Sequence, residues 1–281
     1  MGYRYDPSRR ALLTPAQDAT FFRAGRPVSE SLLCAEMARL AYAAFERDPK
    51  VKANVEATLR RIGFTTCAFF STASTKGFLA QDSVIPLSVL TFRGTELDPQ
   101  DLATDLNALL VPWHSGGQVH RGFALALEAD WELLATVLGP ATGRLLYTGH
   151  SLGAALAMLA ASRCPPHALY TFGCPRVGDA AFATATASLN HDRFAHCCDI
   201  VCRVPPEAMT YCHTGTLAYL DRAGHLHRSP RAQLVADDQR QARLAYLWQW
   251  SWRPGVLWSR DMADHAPINY VAALSRALES P

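Results

Sequence analysis

The chain has 281 residues, of which 49% are hydrophobic and 19% charged, with a formal net charge of +2 at neutral pH. Such a composition excludes a disordered chain. Without a basic tract it leaves no electrostatic footprint for nucleic acid. The longest apolar stretch falls far short of a membrane span, so no transmembrane segment is expected, and the length suits one large α/β domain over residues 1–281.

The opening stretch "MGYRYDPSRRALLTPAQ" has early arginines but no apolar h-region and no small-residue cleavage site. Asp6 stands where an N-myristoylation motif places Ser or Thr. A cytoplasmic location is the default expectation, with a non-classical export route left open. "SESLLCAEMARLAYAAF", from Ser29 to Phe45, reads as a helix with Ser29 as N-cap, and "VKANVEATLRRIGF" as a second one ending at Gly63. "TCAFF" and "GFLAQ" form a hairpin leading into the apolar strand "IPLSVLTF".

An irregular connection follows, then the helical "ALALEADWELLATVL". Beyond it come the strand "GRLLYT", the Ala-rich helix "LGAALAMLAASRC", the strand "HALYTFGCPRVG" and the short helix "DAAFATATASL". "RFAHCCDIVCRVPP" reads as strand and loop, "YCHTGTLAYLDRAGHLH" as a hairpin, and "APINYVAALSRAL" as a helix. Alternating strands and helices after about Leu87 predict a mostly parallel sheet with helices on its faces.

Eight cysteines are present. A domain of this size does not need disulfide staples. His196, Cys197, Cys198, Cys202, Cys212 and His213 lie close in sequence, but no C-x-x-C spacing accompanies them, and adjacent cysteines on a strand point to opposite faces. The cysteines are therefore read as reduced, packed as small hydrophobes, with no metal site.

Chemistry concentrates at Gly149-His150-Ser151-Leu152-Gly153. A serine between two glycines, preceded by a buried strand and followed by a buried helix, fits a strained strand-to-helix corner that exposes Oγ at the top of a sheet. Ser151 is the candidate nucleophile. A hydroxyl needs a base to take its proton, and the base works best when a carboxylate holds its tautomer. In the α/β-hydrolase order the acid and then the histidine follow the serine. Asp179, Asp192, Asp199 and Asp221 are the acids considered. Asp199 follows the apolar "FAHCC" at the carboxyl end of a strand, where ligand sites on open α/β sheets lie. Asp179 reads as a helix N-terminal residue and Asp221 as part of a hairpin turn. Among histidines, His265 sits in a loop opening a helix. His213 is its serious rival, whereas His191, His225 and His227 lie in turns.

These pieces together resemble the class 3 lipase family of α/β-hydrolases, the fungal-type lipases and their bacterial relatives. "LTFRGT", "VHRGFALAL", "YTGHSLGAALAML", "YTFGCPRVGDAAFA", "DIVCRVPP", "YCHTG" and "DHAPINYVAAL" run in family order from about Leu87 to Leu274. The resemblance implies an α/β-hydrolase fold, with Ser151 as nucleophile, Asp199 as acid and His265 as base. It implies an oxyanion hole from the backbone N–H of Leu152 and from Thr95, the residue after the "RG" pair. It further implies ester hydrolysis through an acyl-enzyme, with no cofactor, on a lipid or small ester such as an acylglycerol.

Where fungal members carry an amphipathic lid with a tryptophan, this chain has the polar, proline-broken "ELDPQDLATDLNALLVPW". Phospholipase A-type activity and a catalytically silent hydrolase fold acting as a binding protein are the alternative readings. A patatin-like Ser–Asp dyad is disfavoured because no Asp in the sequence precedes Gly. Finally, "YLWQWSWRPGVLW" holds Trp248, Trp250, Trp252 and Trp258. Alternating tryptophans suit a strip with one buried face. The functional reading makes Trp250 and Trp252 part of the acyl-binding surface, or of a strip that touches a lipid interface transiently.

Overall fold

The protein is described here from a computed structural model, which describes residues 4–82, 84–95 and 109–279. The strands are β1 Phe64–Ser71, β2 Lys76–Asp82, β3 Leu87–Phe92, β4 Leu110–Pro112, β5 Gln118–His120, β6 Arg144–His150, β7 Ala168–Phe172, β8 Gly178–Asp179, β9 His191–His196, β10 Tyr211–Cys212, β11 Thr216–Leu220 and β12 Leu226–Arg228. Eight form one sheet in the order β1-β2-β3-β6-β7-β9-β11-β12. Its centre is parallel from β3 through β11, while β1 and β2 at one edge and β12 at the other are antiparallel. The predicted, mostly parallel α/β arrangement is the one found. The small strands β10-β8-β5-β4 make a separate four-stranded sheet, partly within the stretch read as irregular.

Successive strand residues feed opposite faces, which is why these strands read as continuous apolar runs. Val89 and Leu146 join one core with Phe172 and Phe194, beside residues of the helices Glu30–Leu40, Pro49–Arg60 and Pro267–Glu279. Their neighbours Leu90 and Tyr147 join a second core on the other face, against the helices Arg121–Leu138 and Leu152–Arg163. The latter helix buries nine residues, Gly153 through Ala161, five of them alanines. Such small side chains let it lie close on the sheet.

Two helix starts differ in detail from expectation. Ser29 precedes the helix Glu30–Leu40, but its hydroxyl pairs with Ser31 Oγ at 2.6 Å and makes no cap bond. Asp48-Pro49 opens the second helix: Asp48 accepts from the Lys50 N–H, and Pro49 takes the first turn, where a missing N–H costs nothing. The 18-residue helix Ala232–Gln249 was not anticipated at all. Only Ala242 and Tyr246 in it are buried, so it shows no apolar stripe toward the core. Among the described residues, no helix is long and apolar enough to cross a membrane.

Candidate active site

The corner at Ser151 is a steric construction. Ser151 adopts φ 59° and ψ −126° between β6 and the helix Leu152–Arg163. A backbone so placed costs of order 1–3 kcal/mol and persists only where its surroundings hold it. Its N–H donates to the Phe172 carbonyl at 3.0 Å. A Cβ on Gly149 would strike the Gly153 carbonyl, and one on Gly153 would strike the Phe92 carbonyl. The glycines on either side of the serine are therefore required by close approach.

Two loops bring partners to this corner. His265 lies just before the helix Pro267–Glu279, with Nε2 3.0 Å from Ser151 Oγ. Its Nδ1 is 2.9 Å from both carboxylate oxygens of Asp199. Asp199 sits in the turn just beyond β9 and also accepts from the Val201 N–H at 2.8 Å and the Tyr270 hydroxyl at 2.6 Å. All three candidate residues are buried. Burial alone would raise the Asp199 carboxyl, but the adjacent His265 ring, its hydrogen bond and the Tyr270 bond hold it below the usual carboxylate range. Proton-bearing Nδ1 facing a carboxylate leaves Nε2 as the acceptor for the serine hydroxyl.

Three neighbours of this chain of bonds were not singled out from sequence. Tyr270, five residues after His265, supplies the hydroxyl on Asp199. Gly173, at φ +58°, stands where a Cβ would lie 2.8 Å from Asp199 Oδ2 and 3.0 Å from His265 Nδ1. Next to the serine, His150 Nε2 lies 2.8 Å from the His265 carbonyl, so this nitrogen carries the proton and donates. His150 Nδ1 then accepts from the Tyr42 hydroxyl at 2.8 Å. Burial, reinforced by His265, pushes His150 far below the ordinary histidine range, so it stays neutral and serves as a brace.

Thr95 and Leu152 line one cleft of about 240 Å³ together with Ala73, Ser74, Lys76, Arg93 and Gly94. A larger cavity, about 740 Å³, lies among the N-terminal segments and meets the network at Tyr42. The polar cover read from "ELDPQDLATDLNALLVPW" falls mostly on residues 96–108, outside the described residues.

The rival residues have other partners. His213 Nε2 donates to the Cys202 carbonyl at 2.8 Å. Asp179 caps the helix Ala180–Ala185 by accepting from the Phe182 N–H, and Asp221 accepts from the Ala223 and His225 N–H groups. The strip reading of the tryptophans needs correction. Trp248 belongs to the helix Ala232–Gln249 and Trp250 caps it, so the four indoles do not alternate along an extended segment. Trp250 is half-buried against the cluster that holds Tyr246 and Leu257, Trp252 is 69% exposed, and neither lines the cleft shared by Thr95 and Leu152.

The premise about adjacent cysteines also changes. Cys197 lies beyond β9 at φ 35°, and this turn brings its Sγ to 3.7 Å from that of Cys198. Cys197, Cys198 and Asp264 have ligand-type atoms within 4.8 Å of one another. Those atoms are already engaged: Asp264 pairs with Arg260 at 2.9 Å and accepts from the Cys198 N–H, while Cys197 Sγ donates to Asp238. A cation would have to displace the guanidinium.

A mostly parallel sheet flanked by helices, with a serine elbow facing a histidine and an aspartate beyond later strands, defines an α/β-hydrolase. A family model described as lipase (class 3) matches residues 89–209. The chain is 36% identical over 144 residues to a lipase of Rhizomucor miehei, covering 45% of this chain and 39% of that one. It is 33% identical over 177 residues to secreted mono- and diacylglycerol lipase A of Penicillium cyclopium, covering 57% and 56%. The solved structure of Rhizomucor miehei triacylglyceride lipase superposes with a TM-score of 0.53 at 27% identity, over 68% of this chain and 77% of that one. The chain resembles the class 3 lipase family over residues 89–209 and in its fold. It spans 39% and 56% of the lengths of these two curated relatives.

Proposed function

We propose that the protein is a serine carboxylic-ester hydrolase acting on lipid-type esters, with Ser151 as nucleophile, His265 as general base and acid, and Asp199 orienting the imidazole. The observation that carries this reading is the buried path of hydrogen bonds from Ser151 Oγ through His265 to Asp199. His265 Nε2 takes the serine proton as Oγ attacks the ester carbonyl, and Asp199 stabilises the resulting imidazolium. Negative charge on the former carbonyl oxygen meets the backbone N–H of Leu152 and Thr95, placed on the wall of one cleft. His265 returns its proton to the departing alcohol, and water resolves the acyl-enzyme by the same path.

Relatives named as mono- and diacylglycerol lipases support an acylglycerol ester as substrate. The sheet and both cores draw on segments from Phe22 to Leu274, which supports one hydrolase domain for the whole chain. For location, two relatives are named as secreted, which supports an extracellular over a cytoplasmic protein. Fractionation of the native host, with assay of cells and medium, decides between them.

The reaction is tested by fatty-acid release from a monoacylglycerol, a diacylglycerol and phosphatidylcholine presented in parallel. Release from the acylglycerols, with kcat lowered more than KM is raised in Thr95→Ala, is the expected result. Cleavage of phosphatidylcholine alone would move the reading to a phospholipase. A folded protein that cleaves none of them would leave the silent-fold reading standing.

A further inference from the structure

The C-terminal end of the helix Ala232–Gln249 and the turn after it carry a dense group of exposed apolar side chains. Trp248 is 84% exposed, Trp252 69%, Trp258 64%, Leu247 58% and Leu244 53%. Leu244, Leu247 and Trp248 recur at helical spacing on the face opposite the buried Ala242 and Tyr246. The group is ordered by its own contacts: the Trp252 indole N–H donates to the Trp248 carbonyl at 3.0 Å. The Arg253 guanidinium lies over Trp250 at 4.5 Å and over Trp252 at 5.3 Å. Monomeric proteins avoid contiguous exposed apolar surface unless something meets it.

Charge narrows what meets it. No Asp or Glu occurs from residue 239 to 260, while four arginines do. Arg240, Arg243 and Arg260 are paired with Asp237, Asp261 and Asp264. Arg253 has no carboxylate partner among the described residues, so its charge is offered outward, stacked on indole. Indoles suit the boundary between headgroups and hydrocarbon, with an apolar ring on one side and a polar N–H on the other, and a cation suits anionic headgroups. A second copy of the chain fits poorly, because an isologous contact would bring Arg253 of both copies into one interface where residues 239–260 supply no carboxylate to meet them.

We propose that Leu244, Leu247, Trp248, Trp252, Arg253 and Trp258 form a landing surface for an anionic lipid–water interface. The surface is set beside the candidate active site. Trp250 and Ile200, the residue after Asp199, both pack against one buried cluster that holds Leu257, Met262, Ala263 and Ala266, the last next to His265. The inference rests on the ester-hydrolase reading only for the identity of that lipid as substrate; adsorption itself is independent of turnover.

The test is sedimentation with sucrose-loaded vesicles of ether-linked phosphatidylcholine and phosphatidylglycerol, which an ester hydrolase cannot consume. The intact chain is expected to sediment with the mixed vesicles, with a blue shift in tryptophan emission. Trp248→Ser/Trp258→Ser should bind at least about tenfold more weakly, since each loses a large apolar insertion, with an unchanged melting temperature. Arg253→Glu should lose affinity for the phosphatidylglycerol vesicles and keep what remains for pure phosphatidylcholine. Equal binding by the intact chain and the tryptophan variant would overturn the proposal. So would a dimer in solution that the tryptophan variant abolishes, because the face would then be covered by a second copy. Loss of ester hydrolysis in the intact chain with vesicle binding retained would count against the reaction and leave the surface standing.

Discussion

Gly173 and Asp199 approach so closely that only a hydrogen fits between them: a Cβ on Gly173 would lie 2.8 Å from Asp199 Oδ2 and 3.0 Å from His265 Nδ1. Gly173 also holds φ +58°, a region that costs an L-residue about 1–2 kcal/mol. One small residue at the end of β7 thus sets the space in which imidazole and carboxylate meet.

Gly173→Ala is therefore expected to fold with lowered stability and to lose about 10²-fold in kcat, the scale of a misplacement of about 1 Å at a reacting centre. Kinetics on a soluble p-nitrophenyl ester and a thermal melt check both. A variant with unchanged kcat would mean that the His265–Asp199 pair does not depend on this contact.

Asp199→Asn should keep the fold and lower kcat by about 10⁴, the loss measured for the analogous change in a serine protease. Tyr270→Phe removes only the hydroxyl bonded to Asp199, and a hydrogen bond to a charged group contributes about 1.5–3 kcal/mol. Its kcat is expected to fall by about tenfold with KM nearly constant. If Asp221→Asn matches Asp199→Asn in severity, the acid is misassigned.

His265→Ala and His213→Ala should separate cleanly. The first removes the group between serine and carboxylate and should abolish turnover. The second removes a bond to the Cys202 carbonyl and should lower the melting temperature with kcat nearly intact. Loss of turnover in a well-folded His213→Ala variant would contradict this division.

Much of the site is legible because its constraints are local. The glycines around Ser151 are neighbours in sequence, and the Gly149 contact involves the same turn and helix, although Gly153 is constrained by β3 at Phe92. Asp199 and His265 could be chosen by their places after a strand and before a helix. Gly173, Tyr42 and His150 were not legible, because the atoms that constrain them come from distant segments. The helix Ala232–Gln249 escaped for a different reason. Its apolar residues Leu244, Leu247 and Trp248 face outward, so the pattern that marks a core-facing helix is inverted. Expecting Cys197 and Cys198 on opposite faces failed because the strand ends at His196 and Cys197 turns through positive φ.

Acid should unfold the protein through its buried histidines. Burial lowers the pKa of His150, His191, His196 and His213, with His191 brought to about 3. Unfolded histidine takes up a proton near pH 6.5, so below that pH the unfolded chain holds more protons than the folded one. Stability is complete above about pH 6.5 and falls as pH drops toward the folded values, by about 1.4 kcal/mol per pH unit for each histidine that stays neutral in the fold. Chemical denaturation midpoints from pH 8 to pH 4 should decline steadily, and His191→Gln should decline less steeply. A flat profile would mean that these rings protonate inside the fold.

The central claim is that Ser151 is the activated nucleophile of an ester hydrolase, and covalent labelling tests it most directly. Incubation of the purified chain with a fluorophosphonate, followed by peptide mass analysis, should place a single adduct on Ser151 and abolish ester turnover in proportion to labelling. Folded Ser151→Ala protein should show neither adduct nor turnover, and His265→Ala should label far more slowly. An intact chain that hydrolyses esters yet carries its adduct elsewhere, or a Ser151→Ala variant that keeps its turnover, would contradict the claim.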